Sequence, residues 1–487
     1  MKLSNLLKDI AKTVVDVDVK GLSLDSRNMA NANVFFALHG AKRHGIEYAE
    51  LAIANGANAI VYDPAGIERL PEFATDIVVL AVAGLNQHLG VIAARFYNYP
   101  ADKLAVIGIT GTNGKTTCSQ LIAQALPDCA LIGTLGWGDS EHLVPTVNTT
   151  PDALAIQKIL HGFVLQHKQA VAMEVSSHGL QQGRVNGVHF KGAVFTNITR
   201  DHLDYHQSMD EYLRAKLGLF TKPDLEFVVI NLDDPKSDVV LAHVPDQVKC
   251  WTHSRSGRVW AGAENIIADH INYSQAGISF HITWRTETVK AFTPLVGSFN
   301  LENVLAVIGV LLAMDVPFSA AVARAAKFKA IAGRMEKFGG VNKPSVFVDY
   351  AHTPDALEKV LQVVKNQGQL WLVFGCGGNR DQGKRAEMGR IAAALADQVI
   401  LTDDNPRHES PADIVKDILA GCQSAKTRVI HNRESAIRTA ILAAAKTDSV
   451  VVAGKGHEQY QEINGEKLPF SDQDIVKQTL AAWESAA

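Results

Sequence analysis

The sequence predicts an α/β protein of three domains: a small α/β domain first, a central parallel-sheet domain of the P-loop ATPase type, and a Rossmann-like domain last. Three observations carry this. The chain has 487 residues and a mass of 52.6 kDa, too long for one ordinary domain, and about three domains is the expectation from length. After residue 100 it repeats a short apolar strand, a polar loop and a helical stretch, the signature of a parallel sheet covered on both faces. A second series of such units begins after Gly333-Arg334.

Residues 1–97 differ in character from the rest, with short strands at 21–24 and 34–38 and an Ala-rich helix near 48–55. The stretch Tyr97-Asn98-Tyr99-Pro100 reads as a linker, because the residue before a proline resists helix. In the central domain, residues 98–331, the strands 104–107, 170–173 and 193–195 each lead into a polar loop. In the third, residues 332–487, strands at 346–348, 370–374, 399–401 and 450–453 do the same. Ligands of such sheets sit at the carboxyl ends of the strands, which is where the polar clusters fall.

Composition excludes several classes. Hydrophobic content of 47%, charged content of 20% and a formal net charge of −4 give no electrostatic footprint for nucleic acid or a membrane surface. The five cysteines have no CxxC spacing, so they read as reduced thiols rather than a disulfide framework or a zinc site. The N-terminal segment lacks a sustained apolar core, and the longest apolar run, residues 304–314, is too short to span a bilayer. A cytoplasmic protein is expected.

The most informative stretch is Thr110-Gly111-Thr112-Asn113-Gly114-Lys115-Thr116-Thr117, directly after an apolar strand. Glycines let backbone N–H groups turn toward phosphate oxygens, the following helix offers its positive N-terminus, and a Thr hydroxyl after the lysine can ligate Mg²⁺. ATP is the expected nucleotide. The common GxxxxGK[ST] pattern would have glycine where this chain has Ile109, so the loop is a variant.

Glu174 ends a buried strand, where a carboxylate is costly unless it is paired or binds a cation. A magnesium ligand and a hydrogen-bonded core glutamate are about equally supported by this residue alone. The run Thr199-Arg200-Asp201-His202-Leu203-Asp204-Tyr205-His206 packs two acids and two histidines into eight residues, and beside Glu174 and Thr116 it suggests a second metal position. Lys216 sits in the helical stretch 211–220 and has no distinction on its own.

The phosphate loop TGTNGKTT, Leu24-Asp25-Ser26-Arg27, Asn148-Thr149-Thr150-Pro151, Met173-Glu174-Val175-Ser176-Ser177-His178, Gly333-Arg334-Met335-Glu336, Asp404-Asn405-Pro406-Arg407 and Gly454-Lys455-Gly456-His457-Glu458 together resemble the Mur ligases over nearly the whole chain. The resemblance implies an ATP-dependent ligase that adds meso-diaminopimelate to UDP-N-acetylmuramoyl-L-alanyl-D-glutamate through an acyl phosphate, as a monomer in cytoplasmic peptidoglycan synthesis. It makes the first domain the UDP-binding one, with Leu24, Ser26, Ala41, Lys42 and Arg43 near the uridine diphosphate. It places Asn148, Thr149, Thr150, Ser176, Gln182 and Arg184 at the muramoyl dipeptide. Asn303 and His352 would lie near the base and ribose, and Arg334 near the phosphates. Arg380, Asp404, Asn405, Pro406, Arg407, Gly454 and Glu458 would hold diaminopimelate. Two Mg²⁺ ions are implied, one on Thr116 and Glu174 and one on His202 and a Lys216 carrying a carbamoyl group, which turns a cation into an anionic oxygen ligand.

Competing readings are an L-lysine-adding Mur ligase, a folylpolyglutamate synthase and, in a different class, a nucleotide-driven switch. The Asp404 to Arg407 loop favours diaminopimelate, since a guanidinium takes the extra distal carboxylate through two parallel hydrogen bonds. Lysine would leave Arg407 unpaired. The second set of polar strand ends has no evident use in a switch.

Overall fold

Three sheets in series make up the computed structural model, which describes residues 1–487 apart from 14, 31–32, 41–42, 74–76, 275, 366–367, 423–425 and 487. The first sheet is parallel and follows chain order: β1 (Gly21–Ser23), β2 (Asn33–Ala37), β3 (Ala57–Tyr62) and β4 (Val78–Ala81). Helix Leu85–Phe96 lays Leu85, Leu89 and Ile92 into its core. Ala153 and Leu154, from helix Ala153–Leu165 of the central domain, enter the same core, so the two domains share apolar packing. Gly90 is obligatory at this seam, because a Cβ there would run into the Asn186 carbonyl.

The central sheet has eleven strands: β5 (Ala105–Thr110), β6 (Cys129–Gly133), β7 (Gly136–Asp139), β8 (His142–Val144), β9 (Ala170–Glu174), β10 (Gly192–Phe195), β11 (Phe227–Asn231), β12 (Lys249–Ser254), β13 (Glu264–Ser274), β14 (Gly277–Trp284) and β15 (Glu287–Thr293). Their order is β15-β14-β13-β12-β11-β10-β5-β9-β6-β7-β8. From β6 to β13 all neighbours are parallel, as expected, but both edges are antiparallel. The reason is local. Only two residues separate β14 from β15, which reach an antiparallel partner but not a crossover. One face of these edge strands is also solvated, the usual condition of an antiparallel sheet.

The apolar run at 304–314 forms the C-terminal part of helix Ser298–Ala313 and its cap, and the helix is buried on nearly every side among β11, β12 and helix Lys115–Ala125. Among the described residues no helix is long and apolar enough to cross a membrane.

The third sheet comprises β16 (Glu336–Gly339), β17 (Ser345–Asp349), β18 (Leu370–Phe374), β19 (Gln398–Leu401), β20 (Thr427–Val429) and β21 (Ser449–Ala453), in the order β16-β17-β21-β18-β19-β20. Separate apolar clusters cover its two faces, which explains the continuous apolar strands. β16 is an antiparallel addition to the four strands expected, and β20 extends the parallel part. A hairpin, β22 (Tyr460–Ile463) and β23 (Glu466–Pro469), precedes the last helix. All five cysteines are free.

Candidate active site

The phosphate loop joins β5 to helix Lys115–Ala125, so its backbone N–H groups sit at a helix N-terminus. Gly111 and Gly114 have φ of +150° and +87°, and a Cβ on either would strike Thr196 or Asn303. Two independent constraints therefore require glycine. Lys115 Nζ donates to the carbonyls of Gly111 and Thr112 at 2.9 Å each, which folds the ammonium over the loop. Burial pushes Lys115 below the usual lysine range, and Glu174 and Asp201 oppose this only in part.

Glu174, at the end of β9, is buried and fully satisfied. Its carboxylate accepts from the Thr116 hydroxyl at 3.0 Å, the Thr134 hydroxyl at 2.8 Å and the Thr134 N–H at 2.9 Å. Thr116 Oγ1 also accepts from Arg334 Nη2 of the third domain at 3.0 Å. A carboxylate and a hydroxyl in contact are hard oxygen donors, the set that suits Mg²⁺.

The expected dipeptide residues converge on the same strand end. Thr150 Oγ1 donates to the Glu174 carbonyl and accepts from the Ser176 N–H, both at 2.9 Å. Ser176 caps helix Ser177–Gln181. Arg184 donates to the Thr150 carbonyl at 2.7 Å and to Gln182 Oε1 at 2.6 and 2.9 Å. Thr149 Oγ1 lies 3.1 Å from Thr134 Oγ1, whose proton goes to Glu174, whereas Asn148 is exposed. The N-cap of the following helix is Asp152, so the Asn148–Thr150 segment is left free of a capping duty.

His202 has φ +56° and its ring lies edge-on to His178 at 4.9 Å. Burial depresses both imidazoles, His202 to about 3 and His178 to about 4, so both are neutral at pH 7 and can offer a lone pair. Lys216 is 1% exposed; its ammonium donates to the Gly111 carbonyl at 2.8 Å and lies 4.5 Å over the Tyr212 ring. Burial, reinforced by Lys115, holds it well below the usual lysine range. As an amine it is no oxygen ligand, so it fits a second Mg²⁺ position only when carbamoylated.

Asp201 is the residue that the sequence pattern did not single out. Burial pushes its carboxyl up, but the hydrogen bond from His352 and the charge of Lys384 win and hold it well below the carboxylate range. Lys384, His202 and His352 all reach it at 3.5 Å. Two of these belong to the third domain, and separations of about 150 to 180 residues leave no local signal. Arg200–Asp381 at 3.3 Å and Asn113–Asp355 at 3.1 Å cross the same junction. A cleft there is lined by Asn113, Gly114, Thr117, Asn303, Arg334 and Tyr350. His352 stands outside this lining, with Nδ1 on the Tyr350 carbonyl at 2.8 Å.

In the third domain Asp404 and Asn405 follow β19 and are buried. Lys455, 0% exposed, donates to Asn405 Oδ1 at 2.9 Å and to Glu458 Oε2 at 2.8 Å, and Asn405 Nδ2 donates to the same Glu458 oxygen. A side chain on Gly454 would meet Asp404. Arg380 is exposed. Arg407, after Pro406, has φ +54°; Nη1 donates to the Gly378 carbonyl at 2.8 Å, and Nε pairs with Glu462 of β22 at 3.2 Å. This corrects one expectation: a substrate without a distal carboxylate would not leave Arg407 unpaired, because Glu462 is already there. The distant hairpin that supplies Glu462 carried no motif.

In the first domain Ser26 is buried, with its carbonyl held by Asn55, while Leu24 packs against the core and Arg43 is exposed. Ala41 and Lys42 lie outside the described residues. None of Leu24, Ser26 and Arg43 touches the strand-end groups of the central sheet among the described contacts.

Phosphate loop, acid-bearing strand end and a third domain reaching in with an arginine together define a nucleotide-dependent ligase. Three family descriptions match in series: "Mur ligase family, catalytic domain" at residues 18–97, "Mur ligase middle domain" at 109–311 and "Mur ligase, glutamate ligase domain" at 333–456. The chain belongs to the Mur ligase family. A relative from Ectopseudomonas mendocina is 44% identical over 100% of this chain and 99% of its own, and one from Alkalilimnicola ehrlichii is 43% identical over 97% and 96%. Both are called UDP-N-acetylmuramoyl-L-alanyl-D-glutamate--2,6-diaminopimelate ligase. A solved structure described by the same name is 35% identical, covers 99% of this chain and 100% of its own, and superposes with a TM-score of 0.69.

Proposed function

We propose that this chain joins meso-diaminopimelate to the D-glutamyl residue of UDP-N-acetylmuramoyl-L-alanyl-D-glutamate, converting ATP to ADP and phosphate. The observation that carries the reading is the Thr116–Glu174–Arg334 contact, which brings the phosphate loop, the acidic strand end and the third domain to one point. The domains divide at 97/98 and 331/332. Every group invoked comes from one chain, so a monomer suffices, and nucleotide-linked soluble substrates fit a cytoplasmic setting.

Hydroxide is a poor leaving group, so a carboxylate must be activated before an amine can displace its oxygen. The D-glutamyl carboxylate attacks the γ-phosphorus, the bond to ADP breaks, and an acyl phosphate forms. The uncharged amine of diaminopimelate then adds to the acyl carbon, loses its proton, and phosphate departs with the electron pair. The chain positions the reactants and offsets their charge. Lys115 leaves its carbonyls for the β and γ phosphates, and Arg334 approaches from the opposite domain. Thr116 with Glu174, and His202 with carbamoylated Lys216, would each hold a Mg²⁺ ion, which would supply further neutralisation of phosphate charge. Carbamoylation joins the uncharged form of the Lys216 nitrogen to CO₂ and releases one proton, and burial favours that form by lowering the basicity of Lys216. Thr149, Thr150, Ser176, Gln182 and Arg184 orient the dipeptide; Arg380, Asp404, Asn405, Arg407 and Glu458 orient diaminopimelate.

Phosphate release measured across candidate amino acids tests the reading. Turnover should require both the UDP-muramoyl dipeptide and meso-diaminopimelate. Preference for L-lysine would move the chain to the other branch of the family, and hydrolysis of ATP alone would indicate a switch.

A further inference from the structure

The antiparallel edge of the central sheet carries a side-chain cluster that the ligase reaction leaves unused. Asp269 of β13 stands directly opposite His281 of β14, and the ladder slips between Asp269 and Asn272. His270 lies within that slip at φ +47°. In a regular strand residue 270 would point to the opposite face from 269, and the bulge re-aims it. As a result His270 Nδ1 meets Asp269 Oδ1 at 2.8 Å, the His270 and His281 rings lie 4.7 Å apart, and His281 Nδ1 is 3.9 Å from the same carboxylate oxygen. One ligand atom from each residue lies within 4.8 Å of the others, the single such trio among the described residues.

We propose that Asp269, His270 and His281 form a binding site for a divalent transition-metal ion of the imidazole-preferring kind, Zn²⁺ above all. Two imidazoles and a carboxylate are a three-ligand set that zinc uses with water in the fourth position, whereas Mg²⁺ takes oxygen ligands. Donor atoms around tetrahedral zinc stand about 3.4 Å apart, given bonds of about 2.05 Å. Closing the trio from within 4.8 Å to that spacing calls for side-chain rotation, for which Asp269 and His270 are exposed and His281 is partly exposed. The site is distinct from the nucleotide site. β12, β11 and β10 separate β13 from β5, roughly 19 Å by strand spacing. An ion here would tie the bulge of β13 to its neighbour. The far end of the same strand, Tyr273 and Ser274, lines a cleft against Gln362 and Val363 of the third domain.

The test is calorimetric titration of the full-length protein with Zn²⁺ in excess Mg²⁺, without nucleotide. Wild type and His202→Ala should share one binding equivalent that His281→Ala and Asp269→Asn lose or weaken by at least about tenfold. Co²⁺ in place of Zn²⁺ should give the strong visible absorption of a four-coordinate ion in wild type and not in His281→Ala. His270→Gln, also at an exposed position, provides a second variant, and near-ultraviolet circular dichroism checks that each remains folded. Equal Zn²⁺ stoichiometry and affinity in wild type, His281→Ala and His270→Gln would overturn the proposal.

Discussion

Two lysines, one in each of the larger domains, are buried to within 1% of complete exclusion from solvent, and they differ in company. Lys455 has a carboxylate and an amide oxygen in direct contact. Lys216 donates to a single carbonyl, lies over an aromatic ring, and feels Lys115 together with a weaker opposing pull from Asp201. A buried charge with partners is a strut, and removing it strands the groups that it satisfied. A buried amine with no carboxylate in contact loses basicity to desolvation, which favours its uncharged, nucleophilic form. The comparison supports the proposed reading, in which Lys455 braces Asn405 and Glu458 while Lys216 takes part in the chemistry.

The largest effect should come from the lysine beside Lys216. Lys115→Ala should lower turnover on the order of 10³-fold with little change in melting temperature, since its partners are loop carbonyls rather than an acid. Near-normal phosphate release would remove the loop from the mechanism. Next, Lys455→Met should cost about 3 to 5 kcal/mol in urea unfolding by leaving the Glu458 carboxylate without its buried counter-charge. Lys216→Met should cost little stability yet lose most activity, and if both variants unfold alike the contrast fails. Acetate supplied to Lys216→Ala should restore part of the turnover by replacing the missing oxygen ligand.

Arg407→Ala should raise the KM for meso-diaminopimelate on the order of 10²-fold and leave the KM for ATP nearly unchanged. Because Glu462 already occupies one side of the guanidinium, Glu462→Gln should alter the same KM without touching the nucleotide. An unchanged KM for diaminopimelate in Arg407→Ala would exclude the residue from the pocket.

The smallest effect sets a limit on the comparison. His253 is buried in β12 with neither ring nitrogen hydrogen-bonded among the described residues, and burial lowers it to about 4 against an opposing pull from Asp233. Its folded pKa lies below the unfolded value near 6.5, so the unfolded state takes up the proton first. Stability is therefore full above about pH 6.5 and falls as pH drops toward 4, by about 3 kcal/mol at most. His253→Gln should flatten that part of the acid-unfolding curve without changing turnover at pH 7. Lack of a partner thus marks function only where substrate can reach.

Local chemistry was the legible part. The phosphate loop, the apolar strands before each polar loop and the glycines at positive φ are dictated by residues within a few positions of one another, and the sequence places them. Asp201 and Glu462 are different. Each acquires its role from residues that the fold brings in from afar, His352 and Lys384 for one, Arg407 for the other. The antiparallel edge strands were missed for another reason: the parallel pattern of apolar runs dominated, and the alternation from Glu264 to Thr293 carries no motif.

The Gly111 carbonyl accepts from Lys115 and Lys216 together, so the two side-chain nitrogens share one oxygen. Lys115 beside Lys216 favours the neutral amine, the form that reacts with CO₂. A triphosphate would draw Lys115 away and bring negative charge, which favours the protonated amine and opposes an anionic carbamate. Occupancy and modification are then linked variables with a preferred sequence in time. On the proposed reading, carbamoylation of Lys216 would precede nucleotide binding.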